Sequence, residues 1–316
     1  MIRILTRWSL IAVLAVVILA LNCAQAMSFK QIVVFGGSVS DSGNAFALTK
    51  HANKPPYAEL DQFLVPTGPY DMGGHHFSNG ATWIEQLATS LKLNRSVQPA
   101  FASSNPHATN YAVGAARARD DGINVNMPDQ VSAFLNDFNN VAPSDALYVI
   151  DFGGNDVRDA LVAADPSLII TEALNSIASN MGLLYAAGAR KFLVLNVANI
   201  GTIPSMRIAD IIFPGTAAAA TLLSQAFNAQ LDSILAFIGA LPVVEIAELN
   251  VYQAVGDIIA DPTAFGLTDV EDACITPNVA PFTCKKPDQY LFWDGIHPTK
   301  AVHAILAQDA ADVLGE

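Results

Sequence analysis

Four short runs of mostly β-branched and other apolar residues are spread along this chain: Gln31-Ile32-Val33-Val34-Phe35, Ala146-Leu147-Tyr148-Val149-Ile150-Asp151-Phe152, Lys191-Phe192-Leu193-Val194-Leu195-Asn196-Val197 and Val243-Val244-Glu245-Ile246-Ala247. Gly36-Gly37 stops the first and Gly153-Gly154 the second. Apolar residues in them are nearly continuous rather than alternating, which is how strands covered on both faces read. Helical periodicity fills the gaps. Trp83, Ile84, Leu87, Ala88 and Leu91 predict a helix over 81–91. The 3.6-residue period returns over 167–187 and ends at Gly188, a C-cap signal. An Ala-rich helix is expected over 216–238, and Pro298-Thr299 opens a last one through Leu314. Strands alternating with helices predict an α/β domain with a mostly parallel sheet. Residues 51–80 and 95–130, rich in Pro, Gly, Asn and His, read as long surface loops. Ligands of such sheets sit at the carboxyl ends of the strands, and Ser38, Asn155 and Asn199 all follow strands at that edge.

The chain opens with Arg3 and Arg7, an apolar stretch from about Leu10 to Leu21, and Ala24-Gln25-Ala26. That order is a secretory signal peptide over 1–26, with a mature domain over 27–316. The apolar stretch is short for a membrane span of ~20 residues, and no later segment has the length or apolarity of one. Asn22 before Cys23, where a small residue is required, speaks against a lipoprotein. An exported product, secreted or periplasmic, is expected. The formal charge of −13 becomes more negative when Arg3 and Arg7 leave with the leader. So acidic a chain is a poor partner for nucleic acid or anionic lipid, but its charge does not bear on a neutral ester. Cys274 and Cys284 then remain. In an oxidising compartment two cysteines at this spacing are expected to pair, the alternatives being two free buried thiols or a zinc site that lacks further ligands nearby.

Chemistry enters with Ser38 soon after the first strand, and with Asp294 and His297 close to the C-terminus. Serine is a weak nucleophile until an imidazole takes its proton and a carboxylate fixes the imidazole. A Ser, Asp, His order with Asp-x-x-His spacing suits a turn that brings both groups to the serine. His51, His75, His76 and His107 lie on loops without the spacing of a metal site. Asp41, Asn44, Asp151 and Asp156 read as structural hydrogen-bonders, and Trp293 as core or as a substrate platform.

Four blocks in order carry a family resemblance: Val34-Phe35-Gly36-Gly37-Ser38-Val39-Ser40-Asp41-Ser42-Gly43-Asn44, Asn110-Tyr111-Ala112-Val113-Gly114-Ala115-Ala116, Gly153-Gly154-Asn155-Asp156 and Asp294-Gly295-Ile296-His297-Pro298. Together with Phe77-Ser78-Asn79-Gly80, they resemble the GDSL-type esterases/lipases of the SGNH hydrolase superfamily over essentially the whole mature length. The resemblance implies a three-layer α/β/α sandwich with a mostly parallel, flavodoxin-like sheet. It implies Ser38 as nucleophile, His297 as general base and acid, and Asp294 as its orienting carboxylate. The Ser38 and Gly114 N–H groups and the Asn155 amide would form an oxyanion hole, with glycine at 114 keeping the backbone open to the carbonyl oxygen. No cofactor or metal is implied, and the expected partner is a small-molecule or lipid ester. Lipase or lysophospholipase action is the leading expectation, with carbohydrate O-acetylesterase or acyltransferase activity as alternatives. A non-catalytic secreted binding protein is the rival from another class. One departure favours that rival: the family's aspartate before the serine is Gly37 here.

Overall fold

The computed structural model describes residues 27–102 and 105–316; the expected signal peptide over 1–26 lies outside the described residues. Strands β1 (Gln31–Gly36), β2 (Ala146–Asp151), β3 (Lys191–Leu195) and β4 (Glu245–Leu249) form one parallel sheet in that order. Helices α1 (Asn44–Thr49), α2 (Trp83–Ser90) and α3 (Met127–Asp137) lie between β1 and β2 in the chain. Helices α4 (Gly154–Ala160) and α5 (Pro166–Ala187) follow β2, and α6 (Pro204–Ile212) and α7 (Thr216–Gly239) follow β3. Then come α8 (Val251–Ala260), the small parallel pair β5 (Asp269–Ala273) and β6 (Tyr290–Phe292), and α9 (Lys300–Leu314). Helices α3, α5 and α7 pack as one layer and α2, α8 and α9 as the other, with the sheet between them. Ile32, Val33, Val34 and Phe35 are wholly buried, as the continuous apolar run requires of a strand covered on both faces.

The outer edge of β1 is not bare. Val34 N–H donates to Thr109 O, Tyr111 N–H to Val34 O and Val113 N–H to Gly36 O, so residues 109–113 run parallel beside β1 as an irregular edge. This completes a flavodoxin-like order in which the chain leaves β1 for one side of the sheet and returns to β2 on the other. The crevice at that reversal lies at the carboxyl ends of β1 and β2. Register places Gly36 level with Asp151, so the loops carrying Ser38 and Asn155 leave the sheet together.

The expected helices appear within one or two residues of their ends, and Gly188 at φ 125° closes α5 with its N–H on Leu184 O. The fourth strand lies two residues later than the apolar run suggested, since the turn extends to Val244 and Leu249 pairs with Leu195. The two long loops differ more from expectation. Tyr57 and Tyr70 in the first are almost fully buried, packed with Trp293, Cys274 and Ile275 in a cluster separate from the main core. The second contains the sheet edge at 109–113 and the start of α3. Polar composition masked these roles, because a few buried tyrosines scattered among turns leave no periodic signal.

Candidate active site

After Gly36 the chain turns sharply, with Gly37 N–H on Asp151 O at 3.2 Å and Ser40 N–H on Gly37 O at 3.2 Å. Ser38 stands on this turn, and no hydrogen-bond partner holds its N–H among the described residues. Buried side chains fix the turn from behind. Ser40 Oγ donates to Asp151 Oδ2 at 2.6 Å and accepts from Trp83 Nε1 at 2.9 Å. Asp41 takes the N–H groups of Gly43, Asn44, Ala45 and Gly114 at 2.6–3.0 Å. Burial raises the Asp41 carboxyl above its ordinary value, against the lowering effect of those four N–H groups. Asn44 Nδ2 bonds Asn110 O and Ala112 O, both at 2.8 Å, tying the serine loop to the sheet edge.

Asp294 and His297 sit on the turn that follows β6. Ile296 and His297 N–H both donate to Asp294 Oδ1 at 2.8 Å, a local ring that Asp-x-x-His spacing closes. His297 Nδ1 lies 2.8 Å from Asp294 Oδ2, and His297 Nε2 lies 2.8 Å from Ser38 Oγ. An ionised carboxylate only accepts, so Nδ1 carries the proton and Nε2 is left to accept from the serine. Asp294 is wholly buried and His297 nearly so. A third group reaches the carboxylate, Tyr70 OH donating to Asp294 Oδ2 at 2.7 Å. Burial first, then the Asp294 charge, push the Tyr70 phenol well above its ordinary value, which keeps it a donor. The same long loop braces the turn elsewhere: Gly295 N–H donates to Leu64 O at 2.9 Å, and a side chain at 295 would overlap Phe63 O.

Asn155 occupies the first turn of α4. Gly153, at φ 113°, lets the chain enter that helix where a Cβ would meet Phe227 and Val197 at 2.5–2.6 Å. Asn155 Nδ2 donates one hydrogen to Ala116 O at 2.9 Å, which leaves its second hydrogen available. Its Oδ1 faces Arg158 Nη1 at 3.3 Å. Ser38, Asn155 and Arg158 share a cavity of about 140 Å³ whose other walls are mainly apolar, among them Val39, Phe152 and Ile200.

Gly114 departs from expectation. Its N–H is donated to Asp41 Oδ2 at 2.8 Å, and it does not line the cavity. Glycine is required there because a Cβ would overlap the Phe77 ring, which in turn packs 5.2 Å from the His297 ring. Position 37 makes no such demand: its φ is ordinary, and a Cβ would meet only Ala116 O and Asn155 Nδ2, at 3.8 Å. Trp293 is fully buried core, not a substrate platform. Asp156 anchors the 116–119 loop through Ala118 N–H at 2.9 Å, and His76 is held by Glu85 at 3.0 Å. Cys274 and Cys284 are joined by a disulfide. Tyr70 and Arg158 escaped sequence reasoning. Nothing marks Tyr70 in sequence, whereas the three-residue step from Asn155 to Arg158 on a helix was a readable cue.

Residues 32–310 match the family of GDSL-like lipases/acylhydrolases. A GDSL esterase/lipase of Arabidopsis thaliana is 30% identical, the match covering 88% of this chain and 83% of the relative. A second from the same plant is 26% identical, covering 89% and 88%. Among solved structures, an acetylxylan esterase from Geobacillus stearothermophilus gives a TM-score of 0.48 at 13% identity, covering 92% of this chain and 97% of that one.

Proposed function

The chain belongs to the GDSL-like lipase/acylhydrolase family, and on that premise we propose that it is an exported serine ester hydrolase working through an acyl-enzyme on Ser38. The observation that carries the reading is the unbroken chain Asp294 Oδ2, His297, Ser38 Oγ, with 2.8 Å at each link. As Ser38 Oγ attacks the ester carbonyl carbon, its proton passes to His297 Nε2, and Asp294 stabilises the imidazolium. The carbonyl oxygen becomes an oxyanion that the Ser38 N–H and the second Asn155 Nδ2 hydrogen receive. Gly114 N–H, held by Asp41 Oδ2, becomes a third donor only on leaving that carboxylate for the oxyanion. Collapse breaks the bond to the leaving oxygen, which takes the proton from His297, and the acyl group stays on Ser38. Water then attacks the acyl carbon while giving a proton to His297. The second collapse releases the acid and returns the proton to Ser38 Oγ. No step calls for a metal or a redox cofactor.

The mainly apolar cavity wall supports an acyl chain, and hence a lipase- or lysophospholipase-like ester, ahead of a small acetyl group on a sugar. Export rests on the leader composition of residues 1–26 and on the disulfide, which suits an oxidising compartment. Residues 27–316 then form the single hydrolase domain. The test is hydrolysis of 4-nitrophenyl esters from acetate to palmitate, with fluorophosphonate labelling in parallel. Turnover and labelling that both vanish in Ser38→Ala are expected. An intact protein that neither turns over any ester nor labels would be a binding protein on this fold.

A further inference from the structure

The arginines around the cavity are not equivalent. Arg117 pairs with Asp159 at 3.0 Å and Asp121 at 3.4 Å, and Arg119 with Asp159 and, at 3.7 Å, Asp156. Arg158 has no carboxylate within ion-pair distance among the described residues. Its one hydrogen bond among the described residues is the long one from Nη1 to Asn155 Oδ1. Its Nε is sealed from solvent and has no hydrogen-bond partner. Burial, reinforced by the Arg117 charge, lowers the guanidinium below its ordinary value, against the raising effect of the more distant carboxylates Asp159, Asp61 and Asp294. Leaving a buried guanidinium donor unpaired costs free energy unless a ligand completes it. Nε is closed off, but Nη2 makes no hydrogen bond among the described residues and Nη1 only the long one to Asn155, so the end of the guanidinium that lines the cavity is left to donate to an oxygen of a phosphate or carboxylate there. Asn155 and Arg158 lie three residues apart on α4, on one face of the helix and in one cavity with Ser38.

We propose that Arg158 is an anion-binding residue of this cavity, selecting esters that carry a phosphate or carboxylate group next to the acyl bond attacked by Ser38. The proposal rests on the ester-hydrolase reading and narrows its substrate class. It also gives the acidic chain a way to take an anionic substrate: an arginine that no carboxylate contacts among the described residues is placed where the ester must lie.

Two matched pairs of substrates test it: 1-lauroylglycerol 3-phosphate against 1-lauroylglycerol, and mono-4-nitrophenyl glutarate against 4-nitrophenyl butyrate. The wild-type protein should favour the charged member of at least one pair in kcat/KM, and less so as salt is raised. Arg158→Gln should lower that charged-to-neutral ratio tenfold or more, mainly through KM, and Arg158→Lys should restore part of it. The pair that responds tells phosphate from carboxylate. A ratio that does not move, with both members falling together, would make Arg158 a positioning residue for Asn155 and overturn the proposal. Wild-type discrimination against both charged esters would do the same without any variant. Calorimetric binding of dodecyl phosphate to Ser38→Ala, with and without Arg158→Gln, separates the two readings. If none of the four esters is cleaved, the hydrolase reading fails, while a tenfold loss of dodecyl phosphate affinity still upholds the anion site and an unchanged affinity rejects it.

Discussion

Asp294 accepts from Tyr70, from two backbone amides and from His297, so its position is fixed by more than its partner in the relay. Tyr70→Phe removes one hydrogen bond to a buried charge, worth about 1.5–3 kcal/mol. We expect kcat on a 4-nitrophenyl ester to fall roughly tenfold with KM little changed, and the melting temperature to drop. An oxyanion donor is worth more where charge develops: Asn155→Ala should lower kcat by about 100-fold or more while Ser38 still labels slowly. Gly37 shows the opposite behaviour. Because its backbone is ordinary and a Cβ fits at 3.8 Å, Gly37→Ala should stabilise the fold by about 0.4–1 kcal/mol, read as the shift in a denaturant melt. The loss of the family aspartate is therefore not imposed by the turn. Asp151, which faces the same turn, titrates at about 6 because burial disfavours its charge. The folded state holds that proton more tightly than the unfolded chain, so stability is lost as pH rises from about 4 through 6. Asp151→Asn should melt about 2–4 °C above wild type at pH 8, and the gap should close at pH 4. These assignments divide by how sequence encodes them. Ser38, Asp294 and His297 were readable from their order and the Asp-x-x-His spacing, and Asn155 from the family resemblance of its block. Tyr70 lies 224 residues from its partner in a stretch of turns, and only the folded chain makes the pair.

Among the elements, β5 and β6 carry more than their length suggests. They form a two-stranded pair outside the main sheet, yet β6 delivers Trp293, Asp294 and His297. Cys274 N–H donates to Phe292 O at 3.0 Å and Ile275 N–H to Trp293 O at 2.9 Å, so the disulfide-bonded loop grips the strand that leads into the relay. A cross-link closing so short a loop contributes about 2–3 kcal/mol. Reduction, or the paired change of Cys274 and Cys284 to Ser, should therefore cost activity at a lower temperature than it costs secondary structure. Following 4-nitrophenyl ester turnover beside circular dichroism would show the two losses separate. Strands β1, β2 and β3 were legible because both their faces are covered, which writes a continuous apolar run into the sequence, whereas β4, half-buried with Glu245 exposed, was read two residues early. The irregular edge at 109–113 was not legible, since Asn110 and Thr109 spend their polar atoms on backbone rather than on a repeating face.

For the molecule as a whole, the relay joins positions 259 residues apart, with Ser38 on the turn after the first strand and His297 just before the last helix. The long loop at 51–80 spans that distance as well, holding the relay turn through Leu64, Tyr70 and Ser78. The order of synthesis follows from this separation. The serine is made almost first and its base almost last, so a nascent chain carries an unactivated alcohol for nearly the whole time it is being translated. Chemistry is switched on only when the final turn reaches the first strand. A chain built in that order holds no hydrogen-bonded serine–histidine pair until residue 297 has been made and has reached the turn after the first strand.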